Sequence, residues 1–147
     1  MLLEVLSTLS AGLFAGAAIY INLVEHPARM ECGTGLAVTE FAPSYRRAAV
    51  MQGALAAIGF LSATAAWLLG SSVWWLIGGI VLLAVIPFTL LVIFPTNKQL
   101  LDSSLDKSSE LASKLLIRWG RLHGVRSVLR LISFLIFIFL LGRHALR

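Results

Sequence analysis

Four long apolar runs take up most of this 147-residue chain and limit what it can fold into. They cover residues 2–24, 48–69, 73–94 and 124–142. Each is near the ~20 residues that carry a helix across ~30 Å of hydrocarbon. Backbone polar groups inside a bilayer must be satisfied within the protein, so a spanning segment is a helix or part of a closed barrel. No alternating strand pattern of useful length occurs. The sequence therefore predicts an all-α fold: a four-transmembrane-helix bundle, antiparallel and up-down, in a single integral membrane domain over residues 1–147. Charged residues make up 13% of the chain, against ~25% in soluble domains. The first run carries Glu4, lacks a basic leader and exceeds a signal-peptide core, so it is expected to be retained as a span.

Polar residues gather at one end of every run. Asn22, Glu25, His26 and Arg29 close the first, and Tyr45, Arg46 and Gln52 open the second. Thr96 and Asn97 close the third, while Trp119, His123 and Arg126 open the fourth. Antiparallel threading puts all four groups at one bilayer face. Asn22 shares a helix face with Glu25 and His26 by i,i+3 and i,i+4 spacing. Trp119, His123, Arg126 and Arg130 form a stripe at ~100° per residue. Ionisable groups at membrane depth are costly unless paired, and they mark functional sites by default.

Each residue also has a duller reading. Arg46 and Arg47 could be topology determinants, His123 an interfacial histidine and Asn97 a helix cap. Arg126 and Arg130 could snorkel from the first turns of the fourth span. Their coincidence on four helices is what argues for a pocket. His144 sits in a basic tail at the opposite face and is expected to be solvated.

The net charge of +5 follows this topology rather than a nucleic-acid surface. The polar face carries Arg29, Arg46, Arg47, Lys98, Lys107, Lys114, Arg118, Arg121, Arg126 and Arg130, and the opposite face only Arg143 and Arg147. The positive-inside rule then puts the polar site at the cytoplasm and both termini outside it, in a multi-pass integral membrane protein. The expected partners are the lipid bilayer and a lipophilic small molecule, with no nucleic acid. A homo-oligomer is compatible with the sequence.

Gly12 and Gly16 form a GxxxG pair, and Gly53, Ala57, Gly59 and Ala63 follow on the second run, so these two helices are expected to pack closely. Pro27 should end or bend the first helix. Gly33, Gly35 and Pro43 mark a loop, and its Leu36, Val38 and Phe41 suggest a lid. Trp67, Trp74 and Trp75 flank a short turn as an interfacial belt, and Pro87 should kink the third helix. After a break at Asp102–Ser104, an amphipathic piece with Leu105, Leu111, Leu115 and Leu116 is expected to lie on, or rise from, the surface and run into the fourth span.

The lone Cys32 excludes an internal disulfide and is expected to be incidental. Two histidines and a carboxylate match a mononuclear iron, copper or zinc site in ligand type. Glu25 and His26 point about 100° apart on a helix, however, and the nearby arginines oppose a cation. No metal and no other cofactor is therefore assigned, with Fe or Cu left as an alternative.

The segments Asn22-Leu-Val-Glu25-His26-Pro27-Ala-Arg29, Tyr45-Arg-Arg-Ala-Ala-Val-Met-Gln52, Pro95-Thr-Asn97 and Trp119-Gly-Arg-Leu-His123-Gly-Val-Arg126 together resemble the DUF1772 membrane family. That family includes the anthrone oxygenases of fungal and bacterial aromatic polyketide pathways. The resemblance covers essentially the whole chain. It implies oxidation of an activated aromatic CH2 by O2 without a known organic cofactor. On that reading the catalytic candidates are His26, His123, Glu25, Arg126 and Asn97. His123 or His26 would be the base, Glu25 would orient a histidine, and Arg126 and Asn97 would stabilise the oxyanion. Asn22, Tyr45, Arg46, Gln52, Thr96 and Trp119 would bind substrate, with Trp119 stacking on its ring. The competing readings are a non-enzymatic membrane protein that binds or transports an anionic lipid or lipophile, and a histidine-ligated metal enzyme.

Overall fold

The structure is a computed structural model that describes residues 1–145, with side chains through Arg143. The expectations for the His144 side chain and for Arg147 lie outside the described residues. Four helices dominate: α1 (Leu2–Glu31), α2 (Thr34–Leu68), α3 (Val73–Leu100) and α4 (Glu110–Ala145). Each is long and apolar enough to cross a membrane, and no strand occurs among the described residues. Contacts rise along one helix as they fall along its neighbour: Gly59 of α2 faces Leu82 of α3, and Ala63 faces Gly79. Similarly, Gly12 of α1 faces Phe134 of α4, and Asn22 faces Gly124. Leu13 and Leu23 on α1, Leu61 on α2, Leu91 on α3 and Phe139 on α4 point outward and are exposed. Such side chains on every helix suit hydrocarbon, where exposing them costs nothing.

The interior has two apolar clusters. At the polar end Phe41, Ile93, Leu116 and Trp119 pack together. At the other end Phe14, Leu82, Trp75 and Phe137 do so. Between the two levels Gln52, Arg126 and Arg130 are buried. Trp75 is thus a core residue, 2% exposed and stacked on Phe137 at 5.2 Å, rather than part of the interfacial belt. Trp67 and Trp74 remain exposed.

Several local expectations change. The lid loop is absent, because α2 already begins at Thr34 and runs through Gly35 and Pro43. Only Cys32 and Gly33 make the turn, and Gly33 has φ +89°. Burial decides this. Gly and Pro inside a helix cost about 1 and 3 kcal/mol, but Ala37, Val38 and Phe41 are 1%, 3% and 0% exposed, and a buried Val or Phe returns about 1.5–3 kcal/mol.

Pro27 does not end α1. A π turn over Ile21–Glu25 precedes it, and α-helix resumes over His26–Glu31. Pro87 lies between a break at Ala84 and a second π turn over Thr89–Ile93. Both π turns stand beside prolines that cannot donate a backbone hydrogen bond. The amphipathic piece runs into the last span as expected, within a single helix: α4 starts at Glu110 and continues through the span, with Leu115 and Leu116 in the core and Leu111 exposed. In the preceding turn the Ser104 amide and hydroxyl hold the Asp102 carboxyl below the usual carboxylate range. The GxxxG pair does not form the α1–α2 contact. Gly12 faces α4, Gly16 has open space, and α1 meets α2 where Ser10 lies against Gly59.

Candidate functional site

Trp119 organises the polar end. Its indole lies 5.3 Å from the His26 ring and 4.8 Å from the His123 ring, the latter stacked at 28°. Phe41 meets it edge-on at 5.2 Å, and the Arg29 guanidinium sits 5.9 Å from its centroid. One indole therefore touches both histidines, which belong to different helices.

That arrangement requires a bare backbone at Gly120. A Cβ there would lie 2.5 Å from His26 Nε2 and 2.7 Å from its Cδ2. Gly120→Ala should displace the imidazole and destabilise the protein by about 1–3 kcal/mol, read as a lower Tm in detergent. Gly124→Ala should be nearly silent, because its Cβ would stand 3.7 Å from Asn22 Nδ2. Equal Tm values for the two variants would contradict this account of the α1–α4 contact.

Asn22 sets the tautomer of His123. Its Nδ2 donates to the Gly120 carbonyl at 3.1 Å, which turns Oδ1 toward α4. Oδ1 then lies 2.7 Å from His123 Nδ1 and accepts from Ser127 Oγ at 2.6 Å. An amide oxygen only accepts, so this network assigns the proton to Nδ1 and leaves the lone pair on Nε2. Glu25, expected to orient a histidine, does not do so. It accepts from Arg29 and from Ser44, the latter at 2.9 Å, and Arg29 Nε also pairs with Glu40 at 2.8 Å. Neighbouring helical residues point about 100° apart, so with His26 on Trp119 the Glu25 carboxylate faces α2.

Deeper in the bundle, Arg126 and Arg130 both donate to Gln52 Oε1, at 2.9 and 3.1 Å. Arg130 is fully buried, with its guanidinium 3.8 Å over the Phe14 ring. Neither arginine is in an ion pair among the described residues. Among the described residues Arg126 Nε, Arg130 Nε and Nη1, and Gln52 Nε2 have no hydrogen-bond partner. The snorkelling expectation fails because α4 begins at Glu110, which puts both arginines well inside the helix and facing inward. Two buried cations held by one neutral amide favour an anionic ligand.

A cavity of about 30 Å³ lies between α1, α2 and α4, lined by Glu25, Tyr45, Gln52, Trp119, His123 and Arg126 among others. It is large enough for water but not for an organic ring system. His26 does not line it and meets the site through Trp119. Arg46 is exposed, its Nε donating back to the Ala42 carbonyl at 3.3 Å, because its position on α2 faces away from the bundle. Thr96 and Asn97 are fully buried on α3 but are not among the lining residues, and among the described residues their side-chain polar atoms have no hydrogen-bond partner. Arg130 lay on the predicted stripe but was given no role, and Ser127 was missed; its i+4 spacing from His123 was the available signal.

A model described as anthrone oxygenase matches residues 41–136. The chain belongs to the anthrone oxygenase family. No curated protein and no solved structure matches it. The family match includes Tyr45, Gln52, Trp119, His123, Arg126 and Arg130, whereas Asn22, Glu25 and His26 on α1 precede the matched segment. Among the described residues no three His, Cys, Asp or Glu side chains gather to hold a metal ion. Glu25 is engaged by Arg29, and the His123 Nδ1 by Asn22.

Proposed function

We propose that the protein is a membrane-embedded oxygenase that oxidises a lipophilic aromatic carrying an acidic CH2 or OH, such as an anthrone or hydroquinone, with O2. The observation that carries this reading is the pairing of a tautomer-defined imidazole with guanidiniums that lack a counter-anion, around one cavity. In an anthrone, removal of a methylene proton leaves an anion whose charge lies largely on the ring oxygen. His123 Nε2, which the Asn22 contact at Nδ1 leaves with its lone pair, takes that proton. Arg126, with Arg130 behind it on the same amide, stabilises the phenolate-like oxygen in a dry environment where such charge interactions are strong. Trp119 offers a flat apolar surface for the ring.

The electron-rich carbon then forms a bond to O2, and the peroxide anion recovers the proton from His123. Loss of water from the hydroperoxide takes the second hydrogen from the same carbon and leaves a carbonyl. The overall change is CH2 plus O2 to C=O plus H2O, with O2 as the oxidant.

Purified protein in lipid nanodiscs, given 9(10H)-anthracenone, should consume one O2 per quinone formed. Consumption no faster than in empty nanodiscs would remove the enzymatic reading and favour a protein that only binds an anionic lipophile.

A further inference from the structure

The inner cavity cannot hold the substrate proposed above, but a space adjoining it can. An open groove of about 700 Å³ runs between α1 and α2 on the outer surface of the bundle. This falls within the ~300–1,000 Å³ of small-molecule sites. Groove and cavity share Ile21, Glu25, Ser44, Ala48 and Gln52, so one thin wall separates them. The groove is graded along its length. Gly16, Ala17 and Met51 line its apolar part, and Arg47 and Glu40 its polar end.

Small residues account for the opening. Gly16, which would have been expected to hold α1 against a neighbour, has nothing within 4 Å of a Cβ position. Of its lining residues Tyr20 and Met51 are 54% and 48% exposed, as suits a surface that meets hydrocarbon. The wall includes Ile21, the first residue of the π turn in α1. Such turns have looser hydrogen bonding than an α-helix and often stand at functional sites.

We infer that this groove is the entrance through which a bilayer-dissolved aromatic reaches His123 and Arg126, sideways from the membrane rather than from water. The inference rests on the oxygenase reading for its occupant. The ring system slides along Ala17 and Met51 with its oxygen toward the polar end, and passes between Ile21 and Ala48. A change of the Ile21 rotamer beside the small Ala48 joins groove and cavity into one site of sufficient size.

The entrance is tested by the rate of Trp119 fluorescence quenching, in protein whose other tryptophans are replaced by phenylalanine. The full chain in nanodiscs is mixed with vesicles loaded with 9(10H)-anthracenone. Gly16→Phe fills the groove away from the cavity, Ala48→Leu thickens the wall, and Leu91→Phe adds the same bulk on a remote exposed face of α3. The first two should slow quenching by about tenfold or more, with Leu91→Phe at the parent rate. If Gly16→Phe fails to fold, Ala48→Leu alone decides. Parent-rate quenching in the folded groove variants overturns the entrance and leaves the oxygenase reading standing. No quenching of the parent protein overturns both.

Discussion

Exchanging His123 for glutamine should lower O2 consumption with an anthrone by about 100- to 10,000-fold, the usual contribution of a positioned general base. Glutamine retains a polar group near Asn22 and Trp119, so the bundle should keep its helical content and most of its Tm. His123 lines the cavity, whereas His26 touches the site through the indole. His26→Gln should therefore cost much less. Asn22→Leu supplies an independent check. It removes the acceptor at Nδ1 and lets both tautomers form, so the rate should fall while the imidazole is still present. Oxygen electrode traces on the three variants give the ranking. A larger loss in His26→Gln than in His123→Gln would transfer the role of base to the other histidine.

Gln52 should prove the most sensitive residue for stability. Its single carbonyl oxygen accepts from both Arg126 and Arg130, and neither has a carboxylate partner among the described residues. Gln52→Leu leaves two buried charges without that acceptor and should cost about 3 kcal/mol or more. Gln52→Glu puts a carboxylate in the same place and should raise the Tm above the parent. It should also remove most activity, because the charge held for the substrate oxyanion is then neutralised internally. A loss of about 100- to 1,000-fold is expected, as for deleting one oxyanion-hole donor. Thermal unfolding in detergent and O2 uptake on the same samples separate the effects. A Glu variant as active as the parent would mean that the arginines serve the fold alone.

The residues differ in how legible they were. The four spans follow from run length, a local property that survives any tertiary context. The shared face of Trp119, His123, Arg126 and Arg130 follows from helical periodicity, and three of these residues line the cavity. Arg46 misled because its motif neighbours Tyr45 and Gln52 do line it. A helix face cannot be chosen for one residue until the rotation of α2 against α1 and α4 is known. The lid failed for a related reason: Gly35 and Pro43 are local signals, and the burial of Phe41 that overrides them depends on Trp119, far along the chain.

By itself, the sequence determined that the chain is helical, that it has four segments able to cross a membrane, and that its polar groups cluster at the ends of those segments. These depend on residue type and on spacings of three, four and about twenty, which need no knowledge of neighbours. Only the tertiary structure decided the pairings: Asn22 with His123, Glu25 with Arg29, and two arginines with one glutamine. Hydrogen-bond partners across helices depend on axial register and rotation to within an ångström or so. That register is decided by where glycines let backbones close, as at Gly120, and by where π turns shift the phase of a helix.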